Sequence, residues 1–129
     1  MTVEAFAGKH AVVAGAGVSG LLSARLLLAE GARVTFRDDR RREAVEASLG
    51  APLPPEAGFR QGMPAAGDVP GIDLVVLSPG VPREKLPLAA LGAARIPVWG
   101  ELELGFRRFA GKVAAITGTN GKSTVTTLV

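Results

Sequence analysis

An α/β fold, with a parallel sheet covered by helices on both faces, is what this sequence predicts, on three observations. Short apolar runs alternate with helical stretches along the chain. The runs show no polar alternation, as strands buried on both sides must not. A glycine-rich turn, Gly15-Ala-Gly17-Val-Ser-Gly20, stands where the first run gives way to the first helix. Strand, glycine turn and helix in that order describe a Rossmann-like sheet.

The elements follow in order. His10–Ala14 (HAVVA) reads as a buried strand, and 18–30 as a helix stopped by Gly31. Residues 32–37 (ARVTFR) form a second strand, and 40–49 a helix stopped by Gly50. The Pro- and Gly-rich stretch 51–70 has room for one short strand near Phe59. Residues 73–77 (DLVVL) are a third apolar strand; 86–95 read as a helix, 97–99 as a short strand and 101–109 as a helix. A further apolar strand is expected at 113–117 (VAAIT), with a helix from Lys122 to the end. The chain stops about two turns into that helix, before the next strand a parallel unit needs. The expectation is therefore a fragment, with 110–129 opening the first βα unit of a second domain. The corresponding division is 1–99 as a Rossmann-like substrate-binding domain and 100–129 as the start of a truncated P-loop ATPase domain.

Composition narrows the function. The 129 residues are 47% hydrophobic, enough for a packed core. Cysteine is absent, which excludes disulfides and thiolate metal sites and fits a reducing compartment. Glu4 and the lack of a long apolar core lead us to expect no signal peptide in the first residues, and the longest apolar run, 21–29, is broken by Ser23 and Arg25 and too short to span a bilayer. A cytoplasmic protein without a membrane partner is the reading. The net charge is +3, but the basic residues are dispersed except at Arg37, Arg40, Arg41 and Arg42, and the five Phe and one Trp do not interleave with them. Nucleic acid is not the expected partner. Asn120 is the only asparagine and Gln61 the only glutamine. Heat adaptation or genomic base composition gives such a bias.

Two loops carry the chemistry. In the first, Gly15 suits a tight turn, Gly17 lets a phosphate approach the backbone, and Gly20 lets helix and strand pack closely. The helix start adds free N–H groups and the positive end of a dipole. Asp38, Asp39 and Arg40 follow the second strand, where an acidic residue meets a ribose or base edge; a charged turn in which Asp39 caps the next helix is the plainer alternative. The second loop is Gly118-Thr119-Asn120-Gly121-Lys122-Ser123-Thr124. Its glycines can cradle nucleoside triphosphate oxygens, Lys122 can reach the β and γ phosphates, and Ser123 can ligate Mg²⁺. Ile116 stands where the full P-loop pattern has glycine, so this is a shortened variant. A dehydrogenase needs only the first loop and a simple ATPase only the second. An enzyme that activates a nucleotide-bound substrate with ATP needs both. Ser78-Pro-Gly80-Val-Pro, after the third apolar strand, could line a substrate groove or be an ordinary turn. Glu101 and Glu103 read as helix charges that could reach a ligand or metal, His10 as a plain edge residue, and Trp99 as core or interface.

The pieces GAGVSG (15–20), DDR (38–40), LSPGVP (77–82), IPVWGELEL (96–104) and ITGTNGKSTVTTL (116–128) together resemble the N-terminal part of the UDP-N-acetylmuramoyl-L-alanine:D-glutamate ligases of the Mur ligase family. The Gly-Thr-Asn-Gly-Lys loop alone marks the wider superfamily, which includes folylpolyglutamate synthases; its company here points to the D-glutamate-adding member. The resemblance implies a cytoplasmic step of peptidoglycan synthesis. ATP with Mg²⁺ activates the carboxylate of UDP-N-acetylmuramoyl-L-alanine as an acyl phosphate, and D-glutamate attacks it to form an amide. It implies that Gly17, Val18, Ser19 and Gly20 hold the substrate diphosphate, and that Asp38, Asp39, Arg40, Ser78 and Gly80 bind the uridine end. Gly118–Thr124 would hold ATP, with Lys122 catalytic and Ser123 on the metal, assisted by Thr124. The D-glutamate site would lie outside the chain, leaving the fragment inactive alone and the full-length enzyme a monomer. An NAD(P)-binding Rossmann module or oxidoreductase is the alternative, and a P-loop ATPase regulator a third; the former leaves the second loop unexplained and the latter the first.

Overall fold

A computed structural model of the chain describes residues 6–101, 103 and 104. The strands and helices run β1 (His10–Ala14), α1 (Val18–Ala29), β2 (Arg33–Asp38), α2 (Arg42–Leu49), β3 (Gly58–Gln61), β4 (Leu74–Leu77), α3 (Leu88–Ala93) and β5 (Val98–Gly100). Short 3-10 turns occupy Ala66–Asp68 and Arg83–Lys85. The five strands pair in the order β3-β2-β1-β4-β5, and every pairing is parallel. That is a doubly wound α/β sheet, Rossmann-like as the sequence predicts. The strand expected at 113–117, the helix expected from Lys122 and the loop Gly118–Thr124 lie outside the described residues, as does most of the helix expected at 101–109, of which Glu101, Glu103 and Leu104 are seen to be helical.

Both faces of the sheet are buried, which is why its strands read as continuous apolar runs. On one face Ala11, Val13, Val34, Phe36, Leu74 and Val76 pack with Ala24 and Leu27 of α1 and Val45 of α2. Phe6 closes that face against Trp99 in an edge-to-face contact with ring centroids 6.3 Å apart. On the other face Val12, Ala14 and Val75 pack with Leu86 and Leu91. The register aligns Ala14 of β1 with Arg37 of β2 and Leu77 of β4. The loops after β1, β2 and β4 therefore leave the sheet at the same height.

Strand limits match expectation to within a residue; two helix starts do not. Asp38 Oδ1 accepts the Arg40 N–H at 2.9 Å, an Asx turn that holds the chain out of helix. α2 thus begins at Arg42, after an extended Arg41, and ends as expected at a left-handed Gly50. Asp39 does not cap it, since no side chain does. The helix expected from Leu86 begins at Leu88. Leu86 precedes Pro87, whose ring crowds the helical conformation of the residue before it, and Leu86 is extended at ψ 153°.

His10 is more than an edge residue. Its backbone N–H donates to Asp73 at 2.8 Å, Nδ1 lies 2.8 Å from the Gly71 carbonyl and Nε2 2.9 Å from the Thr35 hydroxyl. A carbonyl only accepts, so Nδ1 carries the proton there. The ring ties β1 to β2 and to the turn before β4.

Candidate functional site

In an open parallel sheet, ligands bind beyond the carboxyl ends of the strands where the strand order reverses. Here that point lies between β1 and β4, and a cleft of about 480 Å³ opens over it. Gly15–Ser19, Asp38–Arg40, Met63, Ser78–Pro82 and Lys85 line it. Four separate loops thus converge on one space, and the residues expected at the UDP end fall in it: Gly17, Val18, Ser19, Asp38, Asp39, Arg40, Ser78 and Gly80. Gly20 does not line the cleft. Residues 118–124 lie outside the described residues.

The three glycines of the first loop have distinct physical jobs. Gly15 turns the chain at φ +100°, and a Cβ there would stand 2.8 Å from the Cβ of Ser78. Gly20 is packed beneath the loop, where a Cβ would come within 2.0 Å of the Gly15 carbonyl oxygen. At Gly17 a Cβ would meet nothing within 4 Å, because that position faces open space. Gly17 is also the N-cap of α1, with no side-chain cap hydrogen bond and no acidic residue in the first turn. The helix start is open to an anion.

Two hydrogen bonds brace this loop from below. The Gly15 N–H donates to the Arg37 carbonyl at 2.7 Å, and the buried Ser78 hydroxyl donates to the Gly15 carbonyl at 3.2 Å. Ser78 is thus a support of the glycine-rich loop as well as a wall of the cleft.

Asp38 is a latch. Buried at 6% exposure, it accepts the Ala16 N–H at 2.9 Å, the Arg40 N–H at 2.9 Å, Arg40 Nε at 2.9 Å and Arg40 Nη2 at 3.0 Å. Burial pushes its carboxyl up, but the Arg40 guanidinium and the two backbone N–H groups outweigh that and bring it down to about 2. Asp38 is therefore ionised at neutral pH and joins the loop after β1 to the loop after β2. Asp39 instead points to the mouth of the cleft, where its carboxylate takes a 2.6 Å ion pair from Lys85.

Met63, Lys85 and the support from Arg37 carried no signal in the sequence. Arg37 is buried, and its guanidinium donates to the carbonyls of Gly62 at 2.7 Å and Met63 at 3.1 Å. These bonds hold the segment after β3 against the cleft; only a long-range pairing of β2 with β3 reveals them. Glu101 does not line the cleft, and its Oε2 is buried with no hydrogen-bond partner among the described residues. Among those residues no group of three or more His, Cys, Asp or Glu side chains could hold a metal, and no helix is long and apolar enough to cross a membrane.

Comparison with known proteins identifies the family of the chain. Residues 9–100 match the model of the Mur ligase MurD-like N-terminal domain. A UDP-N-acetylmuramoylalanine--D-glutamate ligase of Anaeromyxobacter dehalogenans (strain 2CP-C) is 44% identical over 129 residues, covering 99% of this chain and 28% of its own length. Ligases of the same name from Syntrophotalea carbinolica (41% identical; 96% of this chain, 27% of theirs) and Frankia casuarinae (45% identical; 99% and 27%) are similar to it as well. The chain thus spans less than a third of the length of these curated relatives. Among solved structures, a ligand-free 5-ketofructose reductase of Gluconobacter sp. strain CHM43 aligns over 87% of this chain and 52% of its own, at 17% identity and a TM-score of 0.41, a likeness too loose to bear on function. The chain belongs to the Mur ligase MurD-like N-terminal domain family.

Proposed function

We propose that this cleft holds the diphosphate and nucleoside of a UDP-linked substrate, on behalf of a ligase that adds D-glutamate to UDP-N-acetylmuramoyl-L-alanine in the cytoplasmic assembly of peptidoglycan. The observation that carries the reading is the Gly15–Gly20 loop, with Gly17 unobstructed at an uncapped helix start, opening onto a cleft at the switch point of the sheet. Its support from kinship is the name shared by the relatives, which cover nearly all of this chain.

On this reading the N–H groups at the start of α1 receive the diphosphate, and its charge is met by backbone dipoles. Asp38, ionised and held by Arg40, positions the loop. Asp39, Ser78 and Gly80 bound the uridine end. Residues 100–129 begin the ATPase domain, where Gly118–Thr124 would hold ATP, Lys122 would offset phosphoryl charge and Ser123 would hold Mg²⁺. When bound there, ATP supplies the phosphoryl group that activates the substrate carboxylate as an acyl phosphate. Residues for the D-glutamate step are assigned to the rest of the enzyme, so the chain alone forms no amide.

An NAD(P) site fits less well. The acid that would grip a ribose diol in such a site is Asp38, and its acceptor positions are already filled by Ala16 and Arg40. Calorimetric titration of the chain with UDP, UDP-N-acetylmuramoyl-L-alanine and NADH separates the two. Binding of both uridine ligands without NADH is expected; binding of NADH alone overturns the reading.

A further inference from the structure

A carboxylate offers about four lone-pair positions, and Asp38 uses them on the Ala16 N–H, the Arg40 N–H, Nε and Nη2. Of the two acidic residues lining the cleft, Asp39 is thus the one with acceptor capacity to spare for a ligand. It is not alone: Lys85 Nζ lies 2.6 Å from its Oδ2, and the side chains are 50% and 54% exposed for Lys85 and Asp39 respectively. The pair crosses the cleft between the loop after β2 and the 3-10 turn after β4, and both residues line it. Half-exposed ion pairs contribute little to folding, so stability does not account for this bridge.

Its chemistry does suggest a role. The bridge presents one acceptor and one donor side by side at the nucleoside end of the cleft. The imide edge of uracil carries the complementary pair, an N3–H donor next to a carbonyl acceptor. Cytosine carries a lone pair at N3 and an amino donor beside it, so it would set lone pair against carboxylate and amino group against ammonium. With the diphosphate anchored at Gly17, the base is not free to slide to a better register.

We propose that Lys85 is a specificity-determining residue: with Asp39 it reads the imide edge of a uracil base, Asp39 accepting from N3–H and Lys85 donating to the neighbouring carbonyl. The inference rests on the reading of the cleft as a UDP site. A hydrogen bond to a charged group, lost on the wrong base, corresponds to discrimination of about tenfold or more.

Calorimetric titration of UDP and CDP into the chain, as wild type, K85M and K85R, tests it. The wild type is expected to favour UDP by at least about tenfold. K85M should lose most of that preference through weaker UDP binding, with CDP affinity within about twofold of wild type and the melting temperature unchanged. K85R, which keeps a donor, should restore part of the preference. Equal weakening of UDP and CDP in K85M would make Lys85 a general counter-charge and overturn the proposal, as would an unchanged UDP preference. A wild type that binds both equally sinks this inference but leaves the UDP-site reading standing; one that binds neither sinks that reading too.

Discussion

Gly17 and Gly20 stand three positions apart in one loop, and substitution should separate their roles. At Gly20 a Cβ would fall 2.0 Å from a backbone oxygen, so either α1 or β1 must move. Alanine gains about 1 kcal/mol of helix propensity, but overpacking of this kind costs about 3 kcal/mol or more. G20A is thus expected to lose about 2 kcal/mol in urea unfolding. Gly17 sits at φ −84° with open space around it. G17A should therefore unfold within about 0.5 kcal/mol of wild type, yet bind UDP about tenfold more weakly, because its methyl group occupies the phosphate's approach. The close packing at Gly20 and the open position of Gly17 were both legible in the glycine spacing. The role of Asp38 was only half so: its position marks the ligand end of β2, but its capture by Ala16 and Arg40 depends on a fold that brings the loops together. The folded carboxyl, at about 2, lies below the ordinary 3.8. Its stabilising effect is present above about pH 4 and is lost as the pH falls towards 2. Because Arg40 is 46% exposed, screening reduces that effect to roughly 1–2 kcal/mol. Urea midpoints measured from pH 7 to pH 2 should fall over that interval, and D38N should start lower and fall less.

At the scale of elements, strands were the easiest to read and helix starts the hardest. β1 and β4 are apolar throughout because helices cover both faces, a pattern that local sequence carries in full. The start of α2 turns on one hydrogen bond from the Arg40 N–H to Asp38, and that of α3 on the crowding of Leu86 by Pro87. Periodicity records neither. The end of α3 holds a strained residue: Arg95 follows the C-cap at φ +59°, in the left-handed region where glycine is the usual occupant. R95G relieves that strain at some cost in unfolded-state entropy. It is expected to stabilise the chain by up to about 1 kcal/mol, read as a higher thermal midpoint; a lower midpoint would show that the Arg95 side chain contributes more than its backbone costs.

For the whole molecule, the cleft exists because the strand order reverses between β1 and β4, which brings residues 15–19 against 78–82. Local motifs marked two of these loops as ligand-binding candidates; parallel pairing determines that they share one space. Met63 and Lys85 join the site from 46 or fewer positions away from Asp39, by tertiary placement alone, so their sequence neighbourhood gave no sign of them. The central claim is that a uridine diphosphate lies in this cleft along the start of α1. Amide chemical-shift mapping of the labelled chain during UDP titration tests it most directly. The account predicts the largest shifts at Gly17, Val18, Ser19 and Asp39. Shifts confined to the separate groove lined by Arg25, Leu28, Arg33 and Leu53, or no shifts at saturating UDP, would contradict it.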